Sequence, residues 1–357
     1  MSDLLYTEIE NDLRAGVREL LDDKAPWTAV LEGTEKDEPY DAALWRAVAV
    51  QLGCAGLPVS EDLGGAGATW RETAVVMEEL GRAVAPVPFL TSSVVATAAL
   101  LAAGEGDLLG ALASGEKIAV LAVPFATPPG DVATTVRVID GALTGEVAGV
   151  ADGLAADVLL VPTADGLYAV DAADAARTAV TSLDMTRRLA DIAFKAAPAR
   201  RVAEGADAVR AGLLTGAAML ASEQLGLAQR CLDDTVAYVK TRYQFGRPVG
   251  SYQGLKHRLA DLWTSITQAR AVARYAASCA ASGDADLPVA VAVAQAHCST
   301  IALKAAEECV QMHGGIGFTW ENSSHLFLKR AKADAIALGT ADRHRASLAT
   351  LVDLPPA

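Results

Sequence analysis

One short stretch constrains the C-terminal half of this chain more than any other: a glycine-rich junction, Gln311–Phe318, between two apolar helical segments. Gly314, Gly315 and Gly317 fall within four residues. Because glycine has no Cβ, the backbone can turn sharply there and approach a ligand closely. Such a junction can present backbone N–H groups to a phosphate, although an isolated glycine motif also serves as a plain helix connector. The rest of the chain decides between these two interpretations.

Hydrophobic periodicity divides the 357 residues into three regions. Residues 1–112 carry apolar side chains at spacings of three and four, which indicates helices. Residues 113–202 hold short runs rich in Val, Ile and Leu, separated by Asp-Gly and Pro-Gly turns that are typical of hairpins. Residues 203–357 return to the helical pattern. The predicted fold class is therefore α+β, mostly α: an N-terminal helical domain, a middle antiparallel β domain and a C-terminal four-helix bundle.

Four long helices are expected in the third region. The first runs from about residue 205 to Thr241, and the loop Arg242–Ser251 separates it from the second. The third ends at the glycine-rich junction. The fourth is predicted as one continuous helix from about Glu321 to Val352. Short connections between long helices indicate an antiparallel bundle.

Charge and cysteine content exclude several classes of partner. Forty-four acidic residues against 30 basic ones give a net charge of −14, which argues against nucleic acid or an anionic membrane surface. The five cysteines are scattered and lack a CxxC pair, so we expect free thiols and a cytoplasmic protein. The first ten residues lack the apolar run of a signal peptide. No Cys/His/Asp spacing suggests a metal, and we expect Glu78 and Glu79 on a solvated helix face.

The order of the three regions, together with four motifs, resembles the acyl-CoA dehydrogenases. Arg242–Gly250 is similar to the family's RxQFGxPI loop, and Tyr252–Asp261 to its FQxxxxxLAD helix start. Gln311–Gly317 matches QxxGGxG, and Gly56–Gly67 resembles the GLxVPExxGGxG loop. The resemblance extends over nearly the whole chain.

This resemblance implies FAD as cofactor, acyl-CoA as substrate and an electron-transfer flavoprotein as electron acceptor. In the family, the RxQFG loop and the QxxGGxG junction reach across a subunit interface to the ADP half of a neighbour's FAD. The residues so implicated here are Arg242, Phe245, Gln253, Gln311, Gly314 and Gly315. Arg242 can bind a diphosphate with two parallel hydrogen bonds. The alternative is a solvated arginine that complements a helix end.

The carboxylate that removes the substrate α-proton in this family has no counterpart at either of its usual positions. Leu338 stands where the YEGT-like segment has its glutamate, and Gly216, followed by Ala217, stands at the second location. We therefore assign no catalytic residue to this chain. Glu223, two turns after Gly216, and Asp334, one turn before Leu338, are the alternatives for a displaced base.

The β region also departs from the family where hydroxyls contact the flavin ring, since those positions read Ala122 and Ala151. Residues for a flavin within this chain are thus lost, whereas residues for the far end of a neighbour's flavin are kept. In this respect the chain resembles the base-lacking subunit of actinobacterial α2β2 acyl-CoA dehydrogenases that act on steroid side-chain CoA esters. Three hypotheses stay open: a subunit of a hetero-oligomer, a homo-oligomeric enzyme with a displaced base, and a flavin-free structural subunit.

Overall fold

The computed structural model describes residues 4–130 and 132–355. Asp131 and the outermost residues of the first and third predicted domains, 1–3 and 356–357, lie outside it. The first region is helical, as predicted. Its α-helices are α1 (Glu8–Lys24), α2 (Trp27–Thr34), α3 (Ala42–Trp45), α4 (Trp70–Ala83), α5 (Thr97–Ala103) and α6 (Gly106–Ala113). Thr7 and Thr69 begin α1 and α4 with reciprocal hydrogen bonds to a glutamate three residues later.

The expectation that Glu78 and Glu79 face solvent is wrong. Both are buried, at 6% and 1% exposure, because α1 lies across α4 and supplies arginines. Arg14 pairs with Glu78 at 2.7 Å and Arg18 with Glu79 at 2.6 Å. These pairs offset the desolvation of the two carboxylates. The face of α4 that carries them is therefore a helix–helix contact.

The N-terminal segment is tied to the bundle through Tyr6. The ring of Tyr6 lies between two guanidinium groups, with Arg14 at 4.4 Å and Arg274 at 3.7 Å from its centroid. Its hydroxyl donates to Glu78 at 3.0 Å, and Arg274 also donates to the Leu4 carbonyl at 3.2 Å. Residues at the start of the chain thus pack against a helix of the third region.

The β region forms two four-stranded sheets, ordered β1-β4-β5-β8 and β2-β3-β7-β6. The strands are β1 (Ala119–Leu121), β2 (Arg137–Ile139), β3 (Ala142–Ala151), β4 (Val158–Thr163), β5 (Gly166–Asp171), β6 (Ala175–Val180), β7 (Leu189–Pro198) and β8 (Arg200–Glu204). The strand pairs are antiparallel, as predicted, except that β1 and β4 pair in parallel. Between them the chain crosses to the second sheet to form β2 and β3, and it re-enters the first sheet from the same end.

The third region is a helical bundle. Its helices are α7 (Asp207–Thr241), α8 (Gln253–Ser282), α9 (Leu287–His313), α10 (Ser324–Asp334) and α11 (Ala341–Leu351), and a short hairpin, β9 (Tyr243–Gln244) with β10 (Arg247–Pro248), follows α7. At the crossing of α4 and α7, a Cβ on Gly226 would overlap the carbonyl oxygen of Glu78. All five cysteines are unpaired and buried, as predicted.

The fourth bundle helix is interrupted, contrary to the prediction of one continuous helix. Leu338 and Gly339 adopt φ values of 52° and 103°, which end a right-handed helix. The Leu338 N–H donates to the Phe125 carbonyl at 2.8 Å instead of continuing the helix. Thr340 then begins α11 by accepting a hydrogen bond from the Arg343 N–H.

Within the described ranges, one helical stretch, Leu287–Phe318, is long and apolar enough to cross a membrane. Its most apolar window is 67% buried inside the molecule. Bundle packing therefore accounts for the apolar character of this stretch.

Candidate functional site

Two of the predicted motifs meet at one end of the bundle, which we call the outer face and define by the loop Arg242–Ser251 and the junction Gln311–Phe318. Tyr238, in the last turn of α7, connects them. Its ring stacks on His313 with the ring centroids 4.3 Å apart, and its hydroxyl donates to the His313 carbonyl at 3.3 Å. Because Arg242 directly follows α7 and His313 ends α9, this contact holds the loop beside the junction.

Three polar side chains predicted to bind FAD are exposed on this face and lack partners within the chain. Arg242, Gln253 and Gln311 make no side-chain hydrogen bond or ion pair with any residue of the described ranges. Arg247, in the same loop, differs because its guanidinium carbon lies 3.7 Å from the Tyr252 ring centroid. The three unpartnered side chains are thus free to bind another molecule.

Phe245 is the most exposed large apolar side chain of this face. It lies between β9 and β10 with a φ of 52° and is 91% exposed. Phe318 and Trp320, on the junction side, are 76% and 62% exposed. Trp320 contacts the ring of His325 and lies 4.6 Å from Lys329 Nζ. Exposed aromatic rings such as Phe245 and Phe318 mark a surface that another molecule can cover.

The two implicated glycines differ in what they can do. Gly314 has a φ of 66° and a ψ of −141°, a conformation that essentially only glycine adopts. Its N–H donates to the Gln311 carbonyl and is therefore not available to a phosphate. Gly315 has no positive φ, and a Cβ there would meet nothing within 4 Å. This chain does not itself require glycine at 315, and the open space can admit a closely approaching ligand.

The two usual base positions converge inside the molecule. A Cβ on Gly216 would lie 3.2 Å from Cδ1 of Leu338 and 2.6 Å from Cγ2 of Val95. The cavity beside them, which we call the inner cavity, is lined mostly by apolar side chains and has a volume of about 20 Å³. That volume suits about one water molecule. It leaves no room for an acyl chain, and a glutamate at 216 would clash.

Phe125 separates the inner cavity from a second, more open space of about 320 Å³, which we call the seam groove. The Phe125 N–H donates to the Gly149 carbonyl at 2.9 Å, and its own carbonyl accepts from Leu338. These bonds join the end of β1, the β3 strand and the loop after α10. On the rim, Leu183 and Ile336 are 60% and 53% exposed. A flavin ring in the groove would have Phe125 between itself and the inner cavity.

The hydroxyl positions of the β region are buried and apolar. Ala122 and Ala151 are 2% and 3% exposed, so neither offers a hydrogen bond to a flavin ring. The nearby Asp152 accepts from the Thr91 hydroxyl at 2.7 Å. Burial raises the pKa of Asp152 to about 6.

Both alternative bases belong to a buried charge cluster formed by Asp184, Arg187, Glu223, Arg330 and Asp334. Arg187 pairs with Glu223 at 2.7 Å and with Asp334 at 3.0 Å. Arg330 pairs with Glu223 at 2.6 Å and with Asp184 at 2.6 Å. None of the five side chains is more than 4% exposed. The cluster connects the loop before β7 to α7 and α10.

The cluster sets the charge of both candidate carboxylates. Burial alone would raise the pKa of Glu223, but Arg187 and Arg330 lower it below its usual range. Burial, reinforced by the charge of Glu223, raises the pKa of Asp334 well above its usual range. Two arginines thus face three carboxylates in the cluster, and the Asp334 oxygen Oδ2 has no hydrogen-bond partner. A base must reach the proton that it removes, and neither carboxylate lines the inner cavity.

Sequence reasoning missed Phe125, Arg187 and Arg330. A signal existed for Arg330, which follows Leu326 and Phe327 by four and three residues and so shares their apolar face. No comparable signal marks the other two. Among the residues that the structure describes, no group of three or more His, Cys, Asp or Glu could hold a metal ion.

Comparison with known proteins identifies the family. The family described as acyl-CoA dehydrogenase, C-terminal domain, matches residues 203–352, and its N-terminal domain counterpart matches residues 7–115. The acyl-CoA dehydrogenase IpdE2 of Mycolicibacterium smegmatis is 37% identical over 327 residues, which cover 92% of this chain and 93% of that protein. The chain belongs to the acyl-CoA dehydrogenase family. Acyl-CoA dehydrogenases are FAD-dependent oxidoreductases that act on acyl-CoA, so the predicted family, enzyme class and cofactor are confirmed.

Two solved acyl-CoA dehydrogenase structures match the whole fold. The ChsE4-ChsE5 complex from Mycobacterium tuberculosis has a TM-score of 0.89 at 27% identity and covers 100% of both chains. The Tcur3481-Tcur3483 steroid ACAD has a TM-score of 0.86 at 30% identity, covering 97% of this chain and 98% of that one. The predicted fold class is confirmed.

Proposed function

We propose that this chain is the non-catalytic subunit of a hetero-oligomeric, FAD-dependent acyl-CoA dehydrogenase. It contributes contacts to the ADP half of an FAD whose flavin ring lies in the paired subunit. The paired subunit contributes the carboxylate that removes the α-proton of the acyl-CoA. Bound FAD supplies the acceptor for the hydride that leaves the β-carbon.

The observation that carries this proposal is the unpartnered state of the outer face. Arg242, Gln253 and Gln311 are exposed and unpaired within the described chain, and Phe245 is 91% exposed. A guanidinium, two amides and an aromatic ring are the groups that bind a diphosphate and an adenine. The open space at Gly315 adds room for close approach.

The interior supports a division of labour between two chains. An inner cavity of about 20 Å³ cannot hold an acyl group, and Phe125 stands between that cavity and the seam groove. The two alternative bases, Glu223 and Asp334, are bound to Arg187 and Arg330. Chemistry in this chain would require all of these features to rearrange.

The relatives support the assembly and the substrate class. One structural relative is described as a complex of two differently named proteins and the other as a steroid ACAD. We therefore propose an α2β2 assembly acting on a CoA ester with a bulky, steroid-like acyl group. An electron-transfer flavoprotein as electron acceptor and a cytoplasmic location complete the proposal.

Purification from the organism that encodes the chain tests this function. The chain, carrying an affinity tag, should co-purify with a second acyl-CoA dehydrogenase subunit that has glutamate at one of the usual base positions. The visible spectrum of the complex should show about one FAD per pair of subunits. A steroid-bearing CoA ester should reduce this flavin faster than a short-chain acyl-CoA does.

Expression of the chain alone provides the control. We expect little bound FAD and no turnover from it. About one flavin per isolated chain with turnover would favour a homo-oligomeric enzyme instead. A native complex that contains the chain but no flavin contact at Arg242 would favour a structural subunit.

A further inference from the structure

The outer face presents an electrostatic difficulty for the ligand proposed above. Helix α9 is 27 residues long and ends at His313, beside Gln311 and the implicated glycines. The C-terminal end of a helix carries about half a negative charge, which repels a diphosphate. The Gly314 N–H, which could have offset this repulsion, donates to the Gln311 carbonyl. A positive group is needed at this position.

His313 is held in a fixed orientation at the required place. Its Nδ1 donates to the Cys309 carbonyl at 2.7 Å, and its ring stacks on Tyr238 at an interplanar angle of 24°. Its other ring nitrogen, Nε2, makes no hydrogen bond to any residue in the described ranges. Although His313 is only 7% exposed, Nε2 is not among the polar atoms that are fully enclosed without a partner.

The surroundings of His313 favour its protonated form. Burial opposes the charge, but hydrogen bonds to the Cys309 thiolate, at 3.7 Å, and to the Cys309 carbonyl raise the pKa of His313. Hydrogen bonds led by that from Cys231 lower the pKa of Cys309 to about 4. From α7, Asp234 adds negative charge, and α10 contributes the neutral Ser324 hydroxyl. An imidazolium at a helix C-terminus is further stabilised by the helix dipole.

We propose that His313 is a further FAD-binding residue, whose Nε2–H donates to the diphosphate and offsets the negative end of α9. This inference rests on the proposed function, because the diphosphate belongs to the FAD of the paired subunit. It predicts that FAD is retained more tightly at acidic than at alkaline pH, since only the imidazolium has an N–H at both ring nitrogens once Nδ1 is committed.

The test measures the rate of FAD release from the native complex between pH 6 and pH 9, followed by flavin fluorescence. His313→Gln removes the charge, and His313→Phe keeps the stacking on Tyr238 without it. Both variants should release FAD about five- to tenfold faster than wild type at pH 6, because each lacks the charge-assisted hydrogen bond to the diphosphate. Both should also lose the pH dependence of the wild type. Cys309→Ala should keep the dependence but shift its midpoint to lower pH.

His297→Gln is the matched control. His297 lies on the same helix, about 24 Å from His313 at 1.5 Å per residue, and its variant should reproduce the wild-type profile. A purely structural role would leave His313→Phe with wild-type release, and that result would overturn the inference. If Arg242→Ala accelerates release while both His313 variants match wild type, only this inference fails. If Arg242→Ala is silent too, the proposed function fails with it.

Discussion

The outer face and the seam under the β region treat polar residues in opposite ways. In the buried charge cluster, Arg187 and Arg330 donate to carboxylates of their own chain, and Arg330 also donates to the Thr186 hydroxyl at 2.6 Å. The inner cavity beside it is lined mostly by apolar side chains. On the outer face, Arg242 and two glutamines bond to nothing within the described chain. A region whose polar groups find partners within the chain stabilises the fold. A region that leaves strong hydrogen-bonding groups unpaired serves another molecule.

The presence or absence of partners within the chain is a better guide to the functional surface than the usual catalytic positions are. The usual base positions, Leu338 and Gly216, lie in this interior, so close together that a Cβ on Gly216 would be 3.2 Å from Cδ1 of Leu338. The proposed function accordingly assigns proton removal to the paired subunit and FAD contacts to the outer face of this chain. Four changes test whether the two regions are as separate as they look.

The largest expected effect comes from breaking the buried cluster with Arg330→Met. Removing one partner leaves Glu223 and Asp184 buried without full compensation, which should lower the free energy of unfolding by about 3–5 kcal/mol. Urea denaturation of the purified chain measures it. Arg345→Met is the control, because Arg345 and Asp342 form an exposed pair and the loss should stay below about 1 kcal/mol. If both variants lost the same free energy of unfolding, the buried cluster would be no more important for stability than an exposed ion pair.

The next change concerns Asp152, whose pKa of about 6 lies above the unfolded value of about 3.9. The folded state therefore binds the extra proton, and the contribution of Asp152 to stability is fully present below pH 4 and is lost as the pH rises through 6. Asp152→Asn stays neutral and should be more stable than wild type at pH 8 by up to about 3 kcal/mol. Unfolding curves of both proteins at pH 4, 6 and 8 measure this. A difference that does not grow with pH would show that Asp152 does not titrate as described.

A smaller effect is expected at the outer face from Arg242→Ala. Loss of charge-assisted bonds to a phosphate should weaken FAD retention in the complex by about 1.5–3 kcal/mol, or roughly ten- to a hundredfold. Equilibrium dialysis followed by flavin quantification measures it. Arg247→Ala is the control, because Arg247 lies in the same loop but already stacks on Tyr252. It should weaken FAD retention less than Arg242→Ala does. Equal flavin loss in both variants would mean that the unpaired state of Arg242 has no special significance.

The smallest effect is expected from Asp334→Asn. If Asp334 is protonated and structural, single-turnover reduction of the flavin by acyl-CoA should stay within about twofold of wild type, whereas loss of a true base costs about 10²–10⁴. Stopped-flow absorbance of the assembled complex measures the rate. A collapse of the rate without loss of assembly would move the base into this chain.

Long helices could be predicted from the sequence, because uninterrupted three- and four-residue spacing leaves little choice. The first bundle helix was expected to end at Thr241 and does so. The strand β3 is hard to recognise from sequence, because Gly145 and Gly149 dilute its apolar pattern. The break at Leu338 was missed because apolar spacing continues through it. What stops the helix is a hydrogen bond to Phe125, more than two hundred residues earlier in the chain.

The residues of the candidate site also differ in how far they could be predicted from the sequence. The outer-face residues belong to short local motifs, and local motifs are readable from sequence. The buried cluster brings together partners 36 and 147 residues apart, so no local pattern could reveal it. Tyr238 was also missed, since its role is to connect α7 to the end of α9.

The contact between Tyr6 and Arg274 has a consequence for synthesis. Leu4 and Arg274, joined by a hydrogen bond, stand 270 positions apart in the chain. The ribosome must therefore synthesise about three quarters of the protein before the segment that precedes α1 can contact Arg274. Loop closure of this length is slow relative to local helix formation, whereas Arg14 and Arg18 can already pair with α4. We expect pulse-labelled nascent chains to protect the segment around Tyr6 fully from protease only after α8 has emerged.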